Sequence, residues 1–212
     1  MVIIMSDMKT IKKIIESSNQ NTLFNVKDFV SLTNYDNCKI ILNRLEKEGF
    51  IRRLIDGFYY RPVFSTLANQ FVPVSSYAFV NKISEIYGWS VCVYGEAALN
   101  YLGLSTQVVS KYIFISDGPY REYNIDGVII KFKHTNNKFI KNLSFKAATI
   151  VEAIRYLGKE HIDNKDILTI KKQISKGEKE ELKFYKNKLP VWMHIIIEEV
   201  ICDEKIVKKR LE

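Results

Sequence analysis

Lys39, Asn43, Arg44 and Lys47, with Ile40 between them, recur at helical spacing and are residue types that read duplex DNA. Asparagine pairs bidentately with adenine, arginine and lysine reach guanine or phosphate, and an exposed isoleucine can meet a thymine methyl. Just downstream, Arg52, Arg53 and Arg61 bracket Tyr59 and Tyr60, offering cations and one ring for contacts to the phosphate backbone. A second constellation pairs Glu96 with Asp117. Phosphoryl transfer through two metal ions needs at least two close carboxylates. The run Ile113-Phe114-Ile115-Ser116-Asp117 supplies one acid and no D-x-D pair, so Glu96 is read as serving a helix start and Asp117 a turn.

Other chemistry is poorly provided for. His134, His161 and His194 lie far apart without metal-ligand spacing, and no serine or cysteine sits in a nucleophile elbow. No Gly-rich phosphate loop is present. Cys38, Cys92 and Cys202 are odd in number and lack a C-x-x-C spacing, which argues against a disulfide framework and a zinc site. The expectation is a cytoplasmic protein with no catalytic residue, no metal and no cofactor.

The elements that position these residues follow from apolar periodicity. Met8, Ile11, Ile14 and Ile15 predict a first helix, ended by Ser17-Ser18-Asn19-Gln20-Asn21. Asn25 is a plausible N-cap for a short second helix carrying Val26, Phe29, Val30 and Leu32. A third helix, about Asp36 to Glu48, carries Cys38, Ile41, Leu42 and Leu45 on one stripe and stops at Gly49. With that stripe inward, Asp36, Ile40, Asn43 and Lys47 face outward, flanked by Lys39 and Arg44. Two β-prone runs around Asp56-Gly57 then predict a hairpin. Three helices followed by a hairpin is the winged helix-turn-helix arrangement.

Prolines at 62 and 73 mark a connector, and the domains are read as 1–66, the winged helix, and 67–212. The second part predicts a helix from Ser75 to Gly88, a buried strand Trp89 to Tyr94, a short helix from Gly95 to Leu104, and strands Lys111 to Ser116 and Gly127 to His134. Helices capped by Ser144 and Asp163, a charged helix Glu178 to Lys188, and a last helix opened by Pro190 and running to about Lys209 complete it. The fold class is α+β, with a helical C-terminal portion. The broad apolar face of the last helix is read as core, a homodimer seam being the alternative use. Lys171-Lys172 and Lys208-Lys209-Arg210 are read as complementing helix ends.

The 212 residues are 47 % hydrophobic and 26 % charged, the balance of a globular protein rather than a disordered or disulfide-stapled chain. A formal charge of +8, spread along the whole length, suits an acidic macromolecular partner. Met1 to Met5 lacks the features of a secretory leader, and no stretch approaches the ~20 apolar residues of a membrane span.

The wing end Gly57-Phe58-Tyr59-Tyr60-Arg61-Pro62, the block Tyr94-Gly95-Glu96-Ala97-Ala98-Leu99-Asn100-Tyr101-Leu102-Gly103-Leu104-Ser105-Thr106-Gln107, and the strand end Ile115-Ser116-Asp117-Gly118 resemble AbiEi-type antitoxins of bacterial abortive-infection toxin-antitoxin operons. The resemblance covers roughly residues 8 to 160. It implies a winged helix that binds inverted repeats in its own promoter and a C-terminal domain that neutralises a nucleotidyltransferase-like toxin without a stable complex. Two alternatives stand beside it: a winged-helix adaptor that contacts protein and not DNA, and a degenerate nucleotidyltransferase-like enzyme.

Overall fold

Ile11 and Ile15, one helical turn apart, share a face of α1 (Asp7–Ser17) and are fully buried, whereas Ile14 is largely exposed. They pack on Phe24, Val26, Phe29, Cys38, Ile41, Leu42, Leu45, Ile51 and Tyr59, which together form one apolar core. The computed structural model describes residues 7–107, 109, 111–136 and 141–202. Met1 to Met5, the continuation of the last helix to Lys209, and Lys208-Lys209-Arg210 therefore lie outside the described residues.

The chain divides into two compact units, Met1–Ile86 and Tyr87–Glu212. The division falls later than the proline-marked connector suggests, because the helix that follows the connector packs backward. Phe79 of that helix, α3 (Ser76–Tyr87), is fully buried and meets the Phe58 ring edge-on at 5.5 Å. Lys82 on the same helix pairs with Asp28 at 2.7 Å.

In the first unit the short second helix is a single 3-10 turn, Val26–Phe29. Only Val26 and Phe29 are buried, three residues apart, which matches the tighter 3-10 repeat, while Val30 and Leu32 remain exposed. Asn25 caps it as expected: its side chain accepts from the Lys27 N–H, and Asp28 accepts from the Asn25 N–H. The Asn25 carboxamide also donates to the Gly57 carbonyl at 2.8 Å. The longer helix, α2 (Tyr35–Lys47), begins at the Asn34 cap and buries Cys38, Ile41, Leu42 and Leu45. It ends in a Schellman closure, with the Gly49 N–H on the Glu46 carbonyl and the Phe50 N–H on the Leu45 carbonyl. Gly49 has φ +73°, the left-handed conformation that favours glycine.

The hairpin joins β2 (Arg52–Ile55) to β3 (Phe58–Tyr60) through Asp56-Gly57. A third strand not foreseen in the sequence, β1 (Leu23–Asn25), pairs antiparallel with β3, giving the order β1-β3-β2. A two-residue-per-strand hairpin, β4 (Phe64–Ser65) with β5 (Gln70–Phe71), follows in what reads as a connector.

The second unit is a four-stranded mixed sheet with helices. Its order is β6-β7-β9-β8, from β6 (Val91–Val93), β7 (Tyr112–Ser116), β8 (Arg121–Ile125) and β9 (Val128–His134); only β7 and β9 run parallel. The strand at Arg121–Ile125 was not expected. The short helix α4 (Glu96–Tyr101) follows Gly95, and α5 (Phe145–Leu157) begins at the Ser144 cap and stops at Gly158. Helix α6 (Asn164–Gln173) is capped by Asp163 and ends before Ser175, which caps α7 (Lys176–Tyr185) in a reciprocal box with Glu178. The expectation of a charged helix from Glu178 to Lys188 is corrected accordingly: the helix starts at Lys176, ahead of Gly177, and ends at Tyr185. Pro190 opens α8 (Val191–Ile201), whose Met193, Ile196, Ile197 and Val200 are buried. Gly118 lies against Trp89, where an added Cβ would sit 2.3 Å from the indole ring. Cys38 and Cys92 are wholly buried, one in each unit, and burial pushes both thiols above their ordinary range. Among the described residues, no helix is long and apolar enough to cross a membrane.

Candidate nucleic-acid interface

The inward stripe of α2 fixes what the helix shows on its other side. Lys39, Arg44 and Lys47 are exposed and Ile40 is half exposed, as the 100° projection requires. None of these three cations takes part in an ion pair among the described residues. The neighbouring acids are mostly occupied. Glu46 binds Arg53 and Glu48 pairs with Lys12, while Asp36 stands at the helix N-terminus, where its charge complements the dipole.

Asn43 has a different task from the one its type suggests. Its side-chain oxygen accepts from the Tyr59 hydroxyl at 3.0 Å and from the Arg53 guanidinium at 2.6 Å. Arg53 also binds Glu46 through Nε and Nη2, at 2.9 to 3.2 Å, and reaches Asp56 at 3.3 Å. The Glu46 carboxylate holds the guanidinium proton more firmly than usual. Arg53 is thus a strut between hairpin and helix, and its positive charge is largely answered within the protein. Tyr59 is 2 % exposed, with its hydroxyl pushed up by burial against the opposing pull of Arg53. This corrects its assignment to the DNA backbone: the ring is part of the core and cannot lie on a phosphate. Tyr60 is buried as well.

The pleat separates the two adjacent arginines. Arg53 stands opposite Tyr59 and shares its face, toward α2, while Arg52 stands opposite Tyr60. Arg52 is exposed and its guanidinium lies 4.3 Å from the centre of the Phe71 ring in β5. Arg61 donates to the Glu16 carbonyl at the end of α1, so it satisfies an orphan helix carbonyl and is half-buried. Of the nine residues proposed from sequence, the structure leaves Lys39, Ile40, Arg44 and Lys47 together on one helix face. Asn43, on the same outward side of the helix, forms with Arg53 and Tyr59 a joint beside it, and Arg52 and Arg61 lie elsewhere. Glu46, which the sequence reading passed over, completes the joint; a Glu three residues after a candidate Asn on one helix, with an arginine-bearing hairpin next, was the available signal.

Replacing Asn43 by alanine leaves the Tyr59 hydroxyl and one arm of Arg53 without their acceptor. The expected cost is about 1–3 kcal/mol, read as a lower urea midpoint with an unchanged m-value.

The second constellation is occupied by local structure. Glu96 accepts from the Ser105 hydroxyl at 2.7 Å, and Asp117 accepts from the Ser90 N–H at 2.8 Å. Among the described residues no group of three or more His, Cys, Asp or Glu side chains is placed to hold a metal ion. His134 lies between the Gly118 carbonyl and the Asn136 side chain, and His194 faces Glu198.

The fold is therefore a mixed α+β protein whose first unit shows a cationic helix face beside a sheet. Residues 10–182 match the model of a family of unknown function, DUF6088, and the chain belongs to that family. No curated protein matches it.

Proposed function

We propose that this protein is a duplex-DNA-binding transcriptional regulator of the antitoxin type, with Met1–Ile86 acting as a winged helix-turn-helix. In this reading α2 enters the major groove and the β2–β3 hairpin is the wing. The observation that carries it is the exposed face Lys39, Ile40, Arg44 and Lys47, whose cations take part in no ion pair among the described residues. The Asn43–Tyr59–Arg53–Glu46 joint supports it further, since it locks helix and hairpin into one preorganised surface. The antitoxin part rests on the resemblance carried by Tyr94 to Gln107, which implies neutralisation of a nucleotidyltransferase-like toxin encoded beside it.

Gel shifts of the full chain on the stretch directly upstream of its own gene, at several salt concentrations, test the DNA reading. Log K is expected to fall linearly with log salt. A chain with no salt-sensitive affinity for this duplex would overturn it and favour a protein-binding adaptor. Rescue of cells expressing the neighbouring gene's product tests the antitoxin part; growth arrest despite abundant folded protein counts against it.

A further inference from the structure

The four-stranded sheet of the second unit has two unlike edges. At β6 the Val93 N–H donates to the Thr149 hydroxyl of α5 at 3.2 Å, so that edge is closed from within the chain. At the other end β8 has β9 on one side only, and its Arg121, Glu122 and Asn124 are exposed. The turn decides which backbone groups of β8 point away. Asp126 and Gly127, both at positive φ, make a two-residue connection, so Ile125 and Val128 are a hydrogen-bonded pair. Alternation then makes Tyr123 with Ile130 and Arg121 with Phe132 the next such pairs, and turns the N–H and C=O groups of Glu122 and Asn124 outward. None of these outward backbone groups has a hydrogen-bond partner among the described residues. Exposed strand edges are commonly defended by charge. Here the two charged side chains are engaged along the sheet: Glu122 pairs with Lys131 of β9 at 2.7 Å, and the Arg121 guanidinium lies 5.4 and 5.6 Å from the Tyr87 and Trp89 ring centres.

We infer that β8 is a docking edge for a second copy of this chain, the two β8 strands pairing antiparallel about a two-fold axis at Tyr123. The outward groups and the charges select this register together. Setting Glu122 opposite Asn124 of the second copy, and Asn124 opposite its Glu122, lets each pair exchange both of its hydrogen bonds. Tyr123 then faces its own equivalent and Arg121 faces Ile125, so no like charges meet. Both neighbouring registers that keep the outward groups facing one another are worse. A shift of two residues one way sets Glu122 against Glu122, the other way sets Glu122 against Asp126, and like charges directly opposite are destabilising. This self-complementarity favours a second copy over an unrelated extended segment, which would share the backbone bonds but not the reciprocal register. One strand of five residues from each copy is a small interface, of the weak and exchanging class. It is distinct from a seam on the apolar face of α8, and it does not depend on the DNA-binding reading.

Sedimentation equilibrium of the full chain over a range of concentrations tests the association, and cysteine cross-linking tests its register. The wild-type mass is expected to rise from one copy toward two with concentration. Glu122→Pro removes an outward N–H and leaves the β8–β9 ladder bonds in place, so it should stay at one copy. For the register, cysteines are introduced singly with Cys202→Ser as background. In Tyr123→Cys the two equivalent positions form a non-hydrogen-bonded pair about 4.5 Å apart between Cα atoms, within disulfide reach, so oxidation should link two copies. In Glu122→Cys the equivalent positions are diagonal, about 7–8 Å apart, and should not link. A wild-type chain that remains one copy at about 0.5 mM, a folded Glu122→Pro that associates as the wild type does, or equal linking of the two cysteine variants would each overturn the pairing. Should Glu122→Pro fail to fold, the contrast between the cysteine variants decides.

Discussion

Replacing Lys39, Arg44 and Lys47 together by alanine is expected to flatten the slope of log K against log salt by about three units, and to cost the largest loss of affinity of any surface change. Each of these cations is exposed and none is paired among the described residues, so each is available to a phosphate and displaces condensed counterions when it binds one. Alanine is the best helix former, so α2 keeps its helicity and its buried stripe of Cys38, Ile41, Leu42 and Leu45 is untouched. Circular dichroism and the thermal midpoint should match wild type. Arg53→Ala is the informative contrast. That guanidinium is spent on Glu46 and Asn43, so its loss should lower stability more than it alters the slope. An unchanged slope in the triple variant would remove the α2 face from the interface.

Arg155→Ala is the substitution expected to unfold the second unit most readily. Glu152 is 3 % exposed within α5, and Arg155 is its ion-pair partner one turn on. Burial raises the Glu152 carboxyl above its ordinary range, and Arg155 pulls it back. Without the guanidinium, an uncompensated charge is left in the core. The cost is about 3 kcal/mol, the lower end for a broken buried pair because the Arg155 side chain remains 35 % exposed. The pH dependence has a definite sign. A carboxyl that holds its proton more tightly folded than unfolded loses stability as pH rises from the ordinary carboxylate range through the raised value. The Arg155→Ala defect should therefore be larger at pH 7 than at pH 4.5, and Glu152→Gln in the same chain should restore most of it. Equal defects at both pH values, measured by chemical denaturation, would contradict the account.

Local punctuation was legible in the sequence because its physics is local. Gly49 at the end of α2, Asp56-Gly57 in the hairpin, and the caps at Asn25, Ser144, Asp163 and Pro190 all stand where residue type placed them. What escaped depends on partners distant in the chain. Leu23–Asn25 is a strand only because β3 lies alongside, more than thirty residues on. Phe64–Phe71 carries no alternation long enough to announce a hairpin. Arg121–Ile125 alternates weakly and is recruited by β9. The candidate site was legible as a helix face but not as a set of free side chains. Residue type says what Asn43, Arg53 and Arg61 are able to bind; only the tertiary structure shows that Tyr59, Glu46 and the end of α1 have already engaged them. Arg52 and Arg53 are neighbours in sequence, and the period-2 pleat sends them to opposite faces.

The placement of two buried thiols, one in each half of the chain, equips the molecule with independent reporters of opening. Cys38 sits at the heart of the first core and Cys92 beneath the helix that carries Glu152. A thiol that is both inaccessible and reluctant to ionise alkylates only when its surroundings come apart. Mass-resolved pulse alkylation therefore distinguishes loosening of the first half from loosening of the second in an unmodified chain, with half-buried Cys202 as the internal reference.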